Sequence, residues 1–306
     1  MGESGLKGRL CTAIRAAGAV AVGVARAELT DEGENRCLDS WVAGGNNAGM
    51  AWMERHAVLR RDLNNVLPGV RSIVCVAFPY APVTERSPEL PYISRYAYCE
   101  DYHEAVRARL QNVLAETGLD NVCRVCVDSA PVSERFWAIR AGIGYRGDNG
   151  ALIVPGTGPE VFLAEILTTL EIEPDDASSA ECLHCGECLR VCPTGALQSN
   201  GTIDCRRCIS YLTIEHRGPW ADPEAISAMS TPAGRHSLFG CDRCVSVCPL
   251  SRAVSRSIDK PLPQIITLSA DNFPSTPAEF KARFRHTAML RPGLDGLLRN
   301  LANLEE

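Results

Sequence analysis

Apolar residues fall in short runs separated by charged and turn-forming segments, and the period within each run indicates its element. Residues 18–24 and 72–78, the latter reading Ser-Ile-Val-Cys-Val-Ala-Phe, predict short buried strands. Residues 122–127 (Val-Cys-Arg-Val-Cys-Val) and 150–154 predict two more. Between them, residues 102–117 and 131–141 have helical composition. Strands alternating with helices predict an α/β (α+β) fold for the first part of the chain. Residues 174–180, Pro-Asp-Asp-Ala-Ser-Ser-Ala, are polar and turn-rich and set a boundary. The expected organisation is an α/β domain over 1–173, a cysteine-rich domain over 174–255 and a helical C-terminal segment over 256–306. The longest apolar stretches, such as residues 16–25, fall far short of the ~20 residues a membrane span needs, so none is expected.

The 306 residues are 45% hydrophobic and 22% charged, which excludes disordered, collagen-like and coiled-coil classes. The net charge of −6 argues against non-specific nucleic-acid binding. It is unevenly spread: residues 205–299 carry 13 basic and 8 acidic side chains, residues 1–204 carry 18 and 27. Scattered solvated arginines explain that asymmetry more simply than an anionic partner does. The N-terminus shows no basic segment followed by an apolar one. The fifteen cysteines are therefore expected as reduced thiols or metal ligands in a cytoplasmic protein.

Six cysteines are scattered through the first 130 residues and nine lie between Cys182 and Cys248. The dense region opens with Cys182-Leu-His-Cys185-Gly-Glu-Cys188-Leu-Arg-Val-Cys192-Pro193, the C-x2-C-x2-C-x3-C-P run of bacterial ferredoxins. Zinc also accepts C-x2-C pairs, but four cysteines within eleven residues followed by proline favour iron–sulfur. A second run, Cys241-Asp-Arg-Cys244-Val-Ser-Val-Cys248-Pro249, follows Cys205-Arg-Arg-Cys208. If each Cys-Pro cysteine crosses to the other cluster, Cys182, Cys185, Cys188 and Cys248 hold one [4Fe–4S] cubane. Cys192, Cys241, Cys244 and either Cys205 or Cys208 hold the second, and spacing leaves that choice open. Two cubanes make a one-electron wire, which implies upstream chemistry that consumes electrons.

Other features have two readings. Gly142-Ile-Gly144-Tyr-Arg-Gly147 matches G-x-G-x-x-G, but a helix precedes it, so helix termination or close backbone approach is expected rather than a dinucleotide site. Cys123 and Cys126 lie on a strand and are expected to fill core. Asp128 or Ser129 would cap the next helix with Pro131 in its first turn, yet a carboxyl at a strand's C-terminal edge is also where such domains place chemistry. His103 opens a helix and is expected to be a capping or surface residue. Arg60 and Arg61 would by default be solvated.

The set Arg60…Leu67-Pro68-Gly69-Val70-Arg71-Ser72, Asp101-Tyr102-His103, Val127-Asp128-Ser129-Ala130-Pro131-Val132-Ser133-Glu134-Arg135, Ala141-Gly142-Ile143-Gly144, Cys208-Ile209-Ser210 and Leu298-Arg299-Asn300 resembles the epoxyqueuosine reductase family across nearly the whole chain. The resemblance implies an oxidoreductase of tRNA modification that removes the epoxide oxygen of epoxyqueuosine at the wobble position. It implies a cobalamin, as cob(II)alamin bound without its lower-axial base, and two [4Fe–4S] clusters. Asp128 matches the family's proton donor. Arg60, Ser94, Asn149, Leu152, Leu163, Ser210 and Asp242 fall at or near positions lining its cobalamin, and Arg135 at one near the tRNA. Cys208 matches the family's ligand, leaving Cys205 spare. An external electron donor and a monomeric state are expected. Two departures stand out: Asp148 where lysine is usual, and Cys99 where glycine is.

The chemistry agrees with the residues. Deoxygenating an epoxide takes two electrons and two protons, and Asp128 facing an apolar corrin is expected to have its pKa raised by desolvation. Two alternatives remain at this stage: another corrinoid iron–sulfur reductase, or a non-catalytic ferredoxin-type electron carrier.

Overall fold

Four strands make the central sheet of the computed structural model: β1 (Ala21–Arg26), β2 (Ser72–Pro79), β3 (Cys123–Cys126) and β4 (Val161–Thr168). Their order is β1-β2-β4-β3, and every neighbouring pair is antiparallel. The structure describes residues 3–80, 84, 86–251 and 259–304, so the expected boundary at 255/256 lies outside the described residues.

Three of the four predicted strands belong to this sheet. The fourth, over 150–154, shrinks to Leu152–Ile153, paired with Tyr145–Arg146 in a separate ribbon. The strand that sequence reading lacks is β4, the partner of both β2 and β3. Its run Val-Phe-Leu-Ala-Glu-Ile-Leu-Thr shows no polar–apolar alternation because both faces of a central strand are covered.

Side-chain alternation assigns those faces. Val74, Val76, Phe78, Ala164 and Ile166 pack beneath α1 (Glu3–Ala16) and α2 (Tyr102–Thr117), with Leu10, Ile14, Val106 and Leu110. Ile73, Cys75, Ala77, Cys126 and Leu167 pack on the other side, against Phe136, Trp137 and Ala138 of α3 (Glu134–Arg140). Cys126 joins this second core and Cys123 packs against the first, so the strand points the pair to opposite faces and they fill core.

Helix α2 keeps its predicted span because Asp101 caps it, accepting from the His103 backbone N–H at 2.9 Å, and Gly118 ends it in the left-handed region. Helix α3 is shorter than predicted. Its N-cap is Ser133, since a tight turn bonding the Val132 N–H to the Ala130 carbonyl precedes it, so neither Asp128 nor Ser129 is a cap.

A second body of core joins chain segments far apart in sequence. Tyr92–Ile93 pairs in parallel with Ser237–Phe239. Ile93, Tyr98, Leu238 and Phe239 pack with Phe284, Met289 and Leu297, the last on α5 (Gly293–Leu304). Buried Asn300 of α5 donates to the Thr213 carbonyl of α4 (Ile209–Ile214) at 2.8 Å and to the Leu238 carbonyl at 2.9 Å. Among the described residues no helix is long and apolar enough to cross a membrane.

The glycine run does not adopt the dinucleotide arrangement, since α3 precedes it and the short ribbon follows. Gly142 has φ +73°, and a Cβ there would sit 2.4 Å from the Asp176 carbonyl oxygen. Gly142→Ala is therefore expected to destabilise the protein by about 2 kcal/mol, within the range for forced left-handed backbone, as measured by chemical denaturation.

Candidate active site

The site begins where β3 ends. Asp128 takes φ +54°, and the Ser129 N–H donates to the Val127 carbonyl at 2.6 Å, closing a three-residue turn around it. A non-glycine residue in this region costs about 1–3 kcal/mol and persists only where its surroundings hold it. Three contacts do so here. Asp128 Oδ2 accepts from the Tyr102 hydroxyl at 2.8 Å and from His103 Nε2 at 3.0 Å, and the Asp128 backbone N–H donates to Glu134 Oε1 at 2.7 Å.

The capping of α2 supplies the first two. His103 Nδ1 lies 2.6 Å from Asp101 Oδ1, so its imidazole bridges two carboxylates. Both ring nitrogens can donate only if the ring is charged. Burial works against that charge, but the bonds to Asp101 and Asp128 outweigh it and His103 is pushed up to about 9.

The Asp128 carboxyl lies on the floor of a cleft, with 56% of its side chain open to solvent. Enclosure by the cleft acts to raise its pKa, yet the bonds from His103 and Tyr102, with the charges of His103 and Arg291, carry it below the usual aspartate range. The raised value expected of Asp128 against an apolar corrin is thus not the value in the open cleft, where the bonds from His103 and Tyr102 favour the carboxylate. Behind the turn, burial and the Asp128 charge push Glu134 up to about 7. Glu165 on β4 is fully buried, and burial raises it well above the carboxylate range.

Two cavities meet at Asp128. The larger, about 890 Å³, is lined by Trp52, Arg60, His103, Ser210, Thr287 and Arg291 among others. The smaller, about 420 Å³, is lined by Tyr80, Arg135, Leu152, Phe162, Leu163 and Val245 among others. Tyr96, Tyr102 and Asp128 border both. Tyr102 stacks on Phe162 with ring centroids 4.3 Å apart and planes 3° from parallel, giving a flat aromatic wall. Adjoining volumes of this size beside such a wall suit a flat macrocycle.

The predicted binding residues divide accordingly. Arg60, Ser210, Leu152 and Leu163 line the cavities with Asp128, as does Arg135, whose guanidinium donates to the Gly150 carbonyl at 2.6 Å. Ser94 and Asp242 are buried and line neither; Asp242 Oδ2 accepts from the Tyr92 hydroxyl at 2.9 Å and the Arg95 N–H at 2.7 Å. Asn149 lies elsewhere, donating to the Cys244 carbonyl at 3.1 Å. The departures have local partners: Asp148 faces His184 Nδ1 at 2.9 Å, and the Cys99 thiol donates to the Asp259 carbonyl at 3.2 Å.

The cysteines gather in two groups. Cys182, Cys185, Cys188 and Cys248 line one small pocket. Cys244 is close enough to Cys192, Cys208 and Cys241 to feel the charge of each, and burial raises it to about 12. A cationic iron core offsets such a penalty by taking thiolates. Cys205 is buried with its thiol toward the Ile203 carbonyl, packed among Ile209, Leu212 and Met229.

Sequence reading missed Tyr102, His103, Glu134, Glu165 and Arg291. His103 has one sequence signal: an acid two residues before a histidine at a helix start can both cap the helix and hold the ring.

Residues 60–129 match the family model "Epoxyqueuosine reductase QueG, DUF1730", and residues 181–251 match the 4Fe-4S double cluster binding domain. The epoxyqueuosine reductase of Gloeobacter violaceus is 41% identical over 247 residues, covering 79% of this chain and 75% of that protein. A crystal structure of epoxyqueuosine reductase with an epoxyqueuosine-modified tRNA stem loop superposes with a TM-score of 0.85 at 27% identity, covering 99% of this chain and 81% of that one. A Bacillus subtilis epoxyqueuosine reductase structure, described as having its catalytic aspartate loop swung out of the active site, gives 0.83 at 26% identity, covering 99% and 82%.

The His103 pKa gives a signed expectation. Raised above its unfolded value, the imidazole holds its proton, and the contact with Asp128 its full strength, below pH 6.5; both fade as pH rises through about 9. NMR titration of the ring should show that midpoint, and Asp128→Asn should return it toward the ordinary histidine value.

Proposed function

The chain belongs to the epoxyqueuosine reductase family, and from that premise we propose that it reduces epoxyqueuosine to queuosine at the wobble position of tRNA, with Asp128 as the proton donor. The observation that carries the reading is Asp128 at the junction of the two cavities, hydrogen-bonded to a charged His103. The cavities and their aromatic wall fit a cobalamin, and the two thiol groups fit two [4Fe–4S] clusters. When bound, these supply strongly reducing cobalt and electrons one at a time.

This chain's residues manage substrate and protons. Overall the two carbon–oxygen bonds of the epoxide break, a carbon–carbon double bond forms, and the oxygen takes two protons and leaves as water while two electrons enter. Asp128 hands the His103 proton to the departing oxygen, and Asp101 holds the ring so that its Nε2 faces the acid. The open face of Asp128 admits the second proton from solvent. Arg60, Ser210, Leu152 and Leu163, which line the cavities, would hold the cofactor, with Ser94 and Asp242 behind them and Asn149 tied to the Cys244 carbonyl beside the clusters. Arg135 contacts the tRNA. Cys182, Cys185, Cys188 and Cys248 would hold one cluster, and Cys192, Cys208, Cys241 and Cys244 the other. In this reading the protein works as a cytoplasmic monomer fed by an external electron donor.

Nucleoside mass spectrometry of tRNA from a strain lacking the gene tests the reaction. Epoxyqueuosine should accumulate, and wild type should restore queuosine. Asp128→Asn should keep cobalt and iron but lose about a hundredfold or more in turnover, the scale of general acid catalysis; wild-type-like turnover would remove the assignment.

Iron analysis tests the ligand choice. Cys208→Ser should lose up to about half the iron, one cluster of two, whereas Cys205→Ser should retain it.

A further inference from the structure

We infer that Glu134 is a positioning residue whose side-chain carboxyl latches the turn at Asp128 and keeps the acid facing the cavities, an inference that rests on Asp128 being the proton donor proposed above. Of the three contacts holding the turn, those from Tyr102 and His103 engage the carboxyl itself. Both therefore weaken each time Asp128 takes up a proton. The bond from the Asp128 N–H to Glu134 Oε1, at 2.7 Å, grips the backbone and persists through the proton's passage. Without it, a residue already at φ +54° would carry an unpaired amide.

The latch has a rigid mounting. Glu134 is the first residue of α3, and the next turn of that helix places Phe136, Trp137 and Ala138 in the core. Its neighbour Arg135 is tied to the Gly150 carbonyl at 2.6 Å.

Glu165 completes the arrangement. It is opposite Cys75 on β2 and Cys126 on β3, on the sheet face that α3 covers. It is 0% exposed, and neither carboxyl oxygen has a hydrogen-bond partner among the described residues. The charged groups acting on Glu134 are Asp128, Arg135 and Arg60, while Glu165, the thiols of Cys75 and Cys126 and the Tyr102 phenol feel it in turn. The deeper Glu165 is raised further and keeps its proton, and Glu134, itself raised by the Asp128 charge, presents to the Asp128 amide an oxygen that accepts in either protonation state.

Hydrogen exchange on the cofactor-loaded protein, with turnover measured in parallel, tests the latch in Glu134→Ala and Glu134→Gln. In Glu134→Ala, exchange over residues 127–133 should quicken about tenfold, the scale of one lost hydrogen bond, with α2 and β4 unchanged. Turnover should fall with it while cobalt and iron are retained. Glutamine keeps an acceptor oxygen and should restore both readouts to within about threefold, less than the loss of that bond. Unchanged exchange in Glu134→Ala overturns the latch, as does a Glu134→Gln variant equally impaired. If the alanine variant does not fold, Glu134→Gln against wild type decides: retained protection supports the latch and lost protection overturns it. A loosened turn with undiminished turnover upholds the latch and removes Asp128 from catalysis instead.

Discussion

Where the first turn of α2 meets the end of β3, one imidazole lies between two carboxylates, and the working cleft is organised around that bridge. Neither carboxylate could hold the ring charged so firmly alone, because burial opposes the charge. The bridge also determines what the aspartate can do. A carboxyl stabilised as an anion is a poor acid by itself, but beside a protonated imidazole it becomes a relay whose reserve proton is one bond away. Closing the cleft over a large apolar ligand would strip water from Asp128 and strengthen the desolvation that already acts to raise its pKa. The relay is thus poised to shift its proton toward Asp128 as the cleft fills.

The parts legible in sequence are those whose cause is local. The cluster cysteines announce themselves because a tight loop must present several thiols within a few residues. Helix α2 and strand β2 kept their predicted spans to within a residue, since their caps and apolar runs are contiguous. What stayed hidden depends on contacts across the fold. His103 reads as a cap residue until β3 delivers Asp128 to it from 25 positions away. Glu134 sits in the 127–135 block that carries the resemblance, yet its hold on the Asp128 amide follows from a left-handed turn that the aspartate permits without dictating. Glu165, a lone acid in an apolar run, blurs the strand signal of the very strand that occupies the sheet's interior. The lowering of Asp128 in the open cleft was hidden for the same reason: its donors, Tyr102 and His103, come from another element.

Asp242 ties the cysteine-rich segment to the strand and turn beside the cleft. It lies between Cys241 and Arg243, yet its carboxylate takes hydrogen bonds from Tyr92 and Arg95. A shift of the cysteine segment would therefore be felt by the 92–98 segment, and through Tyr96 at the shared border of both cavities. The aromatic contact of Tyr96 with Phe239, centroids 5.9 Å apart, gives a second mechanical tie.

The parallel pairing of Tyr92–Ile93 with Ser237–Phe239, and the cavity wall formed by Thr287, Ala288, Leu290 and Arg291, bear on the order of events during synthesis. The sheet residues and the carboxyl–imidazole bridge leave the ribosome well before the wall they face, which is not complete until residues 287–291 have been made. The chamber therefore cannot enclose a large ligand before that segment has emerged.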